Sequence, residues 1–272
     1  MGDVALFRPA RDYVLLATTW SRTVLQFPVT LVLMSLGVAL GVLAETGAIV
    51  VVFWHAGELA GFTVFEGLLV YGLAATTFGT ADMLLGSVER LAEHIRTGSL
   101  DTMLTRPVSP LVQLATDDFS LRRLGRIVPA LVILGISFPA VGVEWTFGKA
   151  LLLPLLLLSG VVICASLWVA CASLQFFITE SRQATNSLTY GGQALTCYPL
   201  TIYGGNVVRA ATFLVPLAFT SWLPALYLLD RPDPTGLPEF LRFAGPAVAL
   251  LTASLAALLW RTGLRHYRST GS

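Results

Sequence analysis

Lys149–Ile178 reads KALLLPLLLLSGVVICASLWVACASLQFFI, a run of thirty residues whose only charge stands at its first position. A helix rising 1.5 Å per residue needs about 20 apolar residues to cross a hydrocarbon layer of about 30 Å. This stretch exceeds that length with no ionisable group in its interior, so it reads as a membrane span. Outward from it, 27–54, 62–87, 124–141 and 243–260 have the same character. A further run, 184–205, is less apolar but carries Leu188, Leu195 and Tyr198 among small residues, and it is taken as the fifth of six spans. The whole chain of 272 residues is 55% hydrophobic and 12% charged, with a mean hydropathy of +0.75. Soluble domains carry about 25% charged residues, so this chain has too little polar surface to cover a water-soluble particle.

The expected fold is therefore an all-α integral membrane protein, one domain over 1–272 with six transmembrane helices. The stretch 207–229, VVRAATFLVPLAFTSWLPALYLL, is as apolar as a span, and only orientation decides how it lies. With six spans and both ends inside, the inside loops hold 13 of the 17 basic residues, Arg261, Arg265 and Arg268 among them. A full crossing at 207–229 would put those three outside, against the positive-inside bias. Pro216 and Pro224 each remove a backbone donor, which suits a chain that dips into the outer leaflet and returns. The expectation is a re-entrant segment within 206–242, before the sixth span; seven spans with 184–205 re-entrant is the other layout. Leu6–Trp20 mixes Phe7, Tyr13, Leu15 and Leu16 with Arg8, Arg11 and Asp12, which suits an interfacial helix within 1–26. About 26 residues precede the first apolar run, too long for a signal n-region, so an uncleaved first span is expected.

Several chemistries find no support. The only Gly-Lys pair, Gly148-Lys149, lacks the rest of a phosphate-binding loop. Cys164, Cys171 and Cys197 sit in apolar stretches without a C-x-x-C pair, as small buried hydrophobes do. His55, His94 and His266 flank apolar runs, so no catalytic site and no metal site is visible. A net charge of +1, spread along the loops, gives no reason to expect a nucleic-acid partner. Glu66 lies about one turn into the second span and Asp82 near its inner end; pairing or snorkelling explains both, and Glu66 in a polar path is the alternative. Gln183, Asn186, Thr189 and Gln193 recur every three or four residues and so share one helix face. That face either bonds to other helices or lines a substrate path.

Between the second and third spans runs the polar segment 88–123. Val88, Leu91 and Ile95 fall on one face of a short amphipathic helix, with Glu89, Glu93 and Arg96 elsewhere, and Gly98 is placed to end it. Leu100, Met103 and Leu104 make a second apolar edge beside Asp101. Arg106-Pro107 forces an extended joint, and Ser109-Pro110 reads as an N-cap followed by proline in the first turn. Such edges suit either lipid headgroups or a groove in a soluble protein. The balance of Glu89, Glu93 and Asp101 against Arg90, Arg96 and Arg106 favours a protein.

IRTGSLDTMLTRPVSPL, residues 95–111, resembles the cytoplasmic signature of type-2 ATP-binding-cassette exporter permeases, in particular a six-span bacterial branch. CYPLTIYGGNVVRAATFLVPLAFTSWLPALYLL, residues 197–229, resembles that branch's segment before the last span. The resemblance implies a transporter subunit that is not itself an enzyme, a multi-pass protein of the bacterial cytoplasmic membrane with both termini inside. It implies two ATP-binding subunits as partners, with ATP and Mg bound there and no cofactor on this chain. It also implies a second permease, sister or self, so a dimer in the membrane lipid. By the same likeness Glu89, Glu93, Arg96, Gly98, Leu100, Asp101, Leu104 and Arg106 form a coupling helix on the ATPase. The cargo would be amphiphilic: a drug, peptide, lipid or glycolipid, moved outward. A channel or secondary carrier, or a membrane-embedded lipid-modifying enzyme, are the rival readings.

Overall fold

The computed structural model describes residues 3–178 and 182–268. It is all helical; an isolated bridge between Leu59 and Phe62 is the only β pairing among the described residues. Five helices are long and apolar enough to cross a membrane. Helix α1 (Asp3–Leu25) precedes the first of them, α2 (Pro28–Ala56), which has proline at its start where a missing N–H costs nothing. The second, α3 (Val64–Leu85), begins with a capping box in which Thr63 and Glu66 satisfy each other's backbone donors. After α3 the chain tightens into a 3-10 turn, Gly86–Arg90, and makes three short helices: α4 (Leu91–Arg96), α5 (Ser99–Leu104) and α6 (Pro110–Thr116). Crossing resumes with α7 (Leu124–Val141) and α8 (Phe147–Leu174). Then come α9 (Arg182–Thr196), α10 (Gly205–Arg209), α11 (Trp222–Leu228) and the last span, α12 (Gly245–His266).

Helix α3 is the centre of the bundle. Leu69, Val70, Tyr71 and Leu73 are fully buried, and α3 packs against α7 and α8, while α8 also lies along α12 and α2 along α7. In lipid such contacts rest on close backbone approach at small residues, since apolar side chains gain nothing over lipid tails. A Cβ on Gly125 would stand 2.2 Å from the Ser35 carbonyl oxygen, so the α7–α2 contact admits only glycine there.

The two ends of the bundle differ. At one end α1 rests on α6, the Tyr13 hydroxyl donates to the Leu84 carbonyl at 2.8 Å, and Tyr267, just past α12, donates to Asp101 at 3.0 Å. The N-terminal helix, the α4–α6 segment and the C-terminal end thus share one face. At the other end lie Glu66 and the residues around Asp230, where the loop entering α12 is held by Arg242 donating to the Arg231 carbonyl at 2.6 Å.

The fifth expected span, 184–205, requires correction. Helix α9 stops at Thr196, fifteen residues and about 22 Å long, because Pro199 follows and the chain enters a 3-10 turn, Leu200–Ile202. Even so, α8 ends on the α4–α6 face and α12 starts from the opposite one, so the stretch between them makes one net crossing. Helix α9 is not among the five helices long and apolar enough to cross, and a sixth crossing is reached only if the bent pair that follows counts as one span. Beyond α9, Gly205–Leu214 and Leu217–Leu228 meet at an 84° bend, a geometry common to a broken span and a re-entrant loop, and Pro216 stands in the break, where its missing donor interrupts the helix.

Candidate functional site

Two regions carry most of the residues that sequence reasoning singled out: the α4–α6 cap and the groove beside α9. In the cap, Gly98 takes the left-handed conformation at φ 73° and turns the chain sharply between α4 and α5. Val88, Leu91 and Ile95 are all buried, so the amphipathic reading of α4 holds. Their contact, however, is this chain itself. With Leu100, Leu114 and Ala115 they pack on Val169 and Ala172 of α8 and on Ala256 and Trp260 of α12. Leu100 has no exposed surface, so its side chain seats the cap and is not available to a partner. The outward rim is Arg96, Thr97, Thr102, Leu104, Thr105 and Arg106, with Leu104 41% exposed.

Polar contacts stiffen this cap. Gln175 accepts the Ala92 N–H at 2.7 Å and so ties α4 to the end of α8. The Gln113 amide donates to the Met103 and Val108 carbonyls at 2.8 and 2.9 Å, binding α6 to the end of α5. Arg90, which also lies 3.6 Å from Glu93, reaches Asp117 at 3.1 Å, and His94 Nε2 stands 3.0 Å from the same Asp117 oxygen while His94 Nδ1 meets the Ser99 hydroxyl at 2.8 Å. The His94 hydrogen bond, with the charges of His94 and Arg90, holds the Asp117 carboxyl below its usual range against the upward pull of burial. An ordinary aspartate titrates near pH 4 (about 3.9). The resulting stabilisation is complete above that value and is lost as pH falls through the depressed folded value. Asp117→Asn should therefore loosen α4 by on the order of 1 kcal/mol at neutral pH, this group being partly exposed and screened. Faster amide exchange over 90–104 in the variant, merging with wild type below pH 4, is the measurement.

One contact runs from the cap into the membrane part. The Tyr190 hydroxyl of α9 donates to Glu89 at 3.2 Å. The Tyr190 ring meets Phe78 of α3 and Trp168 of α8 edge to face, at 5.8 and 6.3 Å between centroids. Tyr190 also lines a cavity of about 300 Å³ between α2, α3 and α9, together with Glu45, Ala48, Ile49, Tyr71, Gln193 and Tyr198.

The chain is matched over residues 40–271 by the family model described as ABC-2 family transporter protein. The protein belongs to that family. It is a multi-pass membrane subunit of a transporter and not itself the catalytic chain. No curated protein and no solved structure matches it.

In this ABC-2 chain the polar face expected on α9 divides. Gln193 opens into the groove, whereas Thr189 is buried on the other side against Phe78, Cys164 and Trp168. The side chains of Gln183 and Asn186 lie outside the described residues. Glu66 is not brought to this groove. One of its oxygens accepts the Thr63 N–H at 2.8 Å and the other pairs with Arg231 at 2.8 Å, so it caps α3 and anchors the chain after α11. Asp82 pairs with Arg123 at 3.5 Å. The residue that hydropathy passes over is Glu45, in the middle of α2, accepting from the Tyr71 hydroxyl at 2.9 Å. Its signal was in plain view: a lone carboxylate deep in an apolar run is costly and marks a polar path.

Proposed function

We propose that this ABC-2 permease is the membrane half of an ATP-driven exporter of amphiphilic substrates, with ATP and Mg bound on a separate ATPase subunit that docks on the α4–α6 cap. The observation that carries this is the rigid cap with an exposed rim of Arg96, Leu104 and Arg106, joined through Glu89 and Tyr190 to a groove-lining helix. Closure of two ATPase subunits would push the rim, and the cap would move as one body because its own core leaves it no slack. Through Tyr190 that motion would tilt α9 and reshape the groove. Six helices enclose no route for a sizeable molecule, so the path runs between this chain and a second permease. Glu93, Gly98 and Asp101 shape the cap rather than grip: Gly98 supplies the turn, and Asp101 holds the C-terminal end through Tyr267. In this reading the cap and both termini face the cytoplasm of a bacterium, and the bent Gly205–Leu228 segment forms the outer gate. The test is co-expression with a candidate ATP-binding-cassette subunit. Cross-linking from a cysteine at Thr102 to that subunit, together with ATP-dependent efflux, supports the reading. Efflux that persists without any ATPase rejects it.

A further inference from the structure

We propose that the α2–α9 groove is a binding site for a lipophilic cation, with Glu45 as its counter-ion and Tyr190 and Tyr198 as aromatic walls. Glu45 stands seventeen residues after the start of α2 and eleven before its end, near mid-membrane. A charge there is costly in the bilayer and is retained where it has a task. Its surroundings do not neutralise it. The Tyr71 phenol donates a hydrogen bond to it, and Glu45 enters none of the ion pairs among the described residues. Arg126, on the neighbouring α7, is instead placed over the Phe78 ring at 5.7 Å.

Geometry gives the carboxylate a direction. Val42 and Ile49 flank Glu45 at one-turn spacing and are buried, yet Glu45 itself is exposed on the shoulder that faces α9. The floor beneath it is α3, where Tyr71 holds the carboxylate in place. Opposite stand Tyr190, Gln193 and Tyr198. A fixed anion beside aromatic faces in a low-dielectric setting recognises a bulky, weakly hydrated cation, which both neutralises the acid and stacks on the rings. A neutral lipid would leave the acid uncompensated, and an anion would be repelled.

This deepens the exporter reading by naming the charge of its cargo, and it rests on that reading only for the groove being on the transport path. The test uses the purified full chain in nanodiscs, without ATPase, so a missing ATPase partner leaves the result untouched. Equilibrium binding of tetraphenylphosphonium is compared with that of tetraphenylborate, an ion of the same shape and opposite charge. Expected are binding of the cation, weaker binding of the anion, and a loss of cation affinity of about tenfold in Glu45→Gln, or about 1.4 kcal/mol. Removing a mid-membrane charge favours insertion, and an unchanged elution volume confirms the fold. Tyr198→Ala supplies an independent arm, with an expected loss of about threefold or more from one aromatic wall. Equal or tighter binding of the anion, no binding of the cation, or losses below about threefold in Glu45→Gln would overturn the proposal.

Discussion

Leu100→Asp is expected to abolish the folded cap, while Leu104→Asp, four residues on, leaves it folded and removes ATPase capture. Leu100 is fully enclosed within the cluster that includes Leu91, Leu114 and Trp260. Truncating such a leucine costs about 2–5 kcal/mol, and placing an unpaired carboxylate there adds several more. Proteolytic nicking between Arg96 and Arg106 and loss of membrane yield are the readouts. At Leu104, by contrast, the side chain already meets water over 41% of its surface, so aspartate costs the fold little. What it should damage is the interface: a buried contact on a partner loses on the order of 1–2 kcal/mol or more when an apolar anchor becomes a charge. Normal yield with the ATPase subunit no longer co-purifying is the expected pattern. Should Leu104→Asp retain both the subunit and transport, the docking surface lies elsewhere.

At the opposite end, Asp230→Ala should release the bent segment. The Lys149 side chain is 4% exposed, and its ammonium is held by Asp230 and by the Leu228 carbonyl at 3.0 Å. Removing one partner of a buried pair strands the other, a loss of up to about 3 kcal/mol here, reduced because Asp230 is mostly exposed. The double variant Lys149→Met with Asp230→Ala should recover most of that, since the stranded charge is gone. A thermal-unfolding cycle over the four proteins measures the coupling. A second readout is labelling of a cysteine placed at Leu214, expected to speed up in Asp230→Ala alone. Additive losses would show that this pair does not hold the segment.

Much of this architecture can be read locally. Apolar runs long enough to cross a membrane are self-evident, because every backbone donor in lipid must bond within its own helix and only length and hydropathy matter. The ends of α2, α3, α7 and α8 and the start of α12 accordingly fall within a few residues of the expected ones, while α12 runs on past the expected end to His266. Pro216 in the break of the bent segment and Gly98 between α4 and α5 are also local events. Each acts through the backbone of a single residue, so the amino acid alone announces the turn.

What stayed hidden is the identity of neighbours. Periodicity showed that Val88, Leu91, Ile95 and Leu100 form buried edges, but a buried edge does not name what buries it. The fold gives that place to α8 and α12 of the same chain, which leaves only the rim for a partner. In the same way, one face of α9 by spacing becomes two environments, Gln193 in the groove and Thr189 inside, because α3 and α8 approach from different sides.

By itself, then, the amino-acid order determined that the chain lives in a membrane, where its long helices begin and end, and where it must bend. Only tertiary structure decided which acids are tied, Glu66 to Arg231 and Asp82 to Arg123, and which one, Glu45, faces open space. The reason is range: hydropathy and backbone chemistry act within a turn of helix, whereas these contacts join residues tens to more than a hundred positions apart, and only the packing of α3 at the centre brings them together.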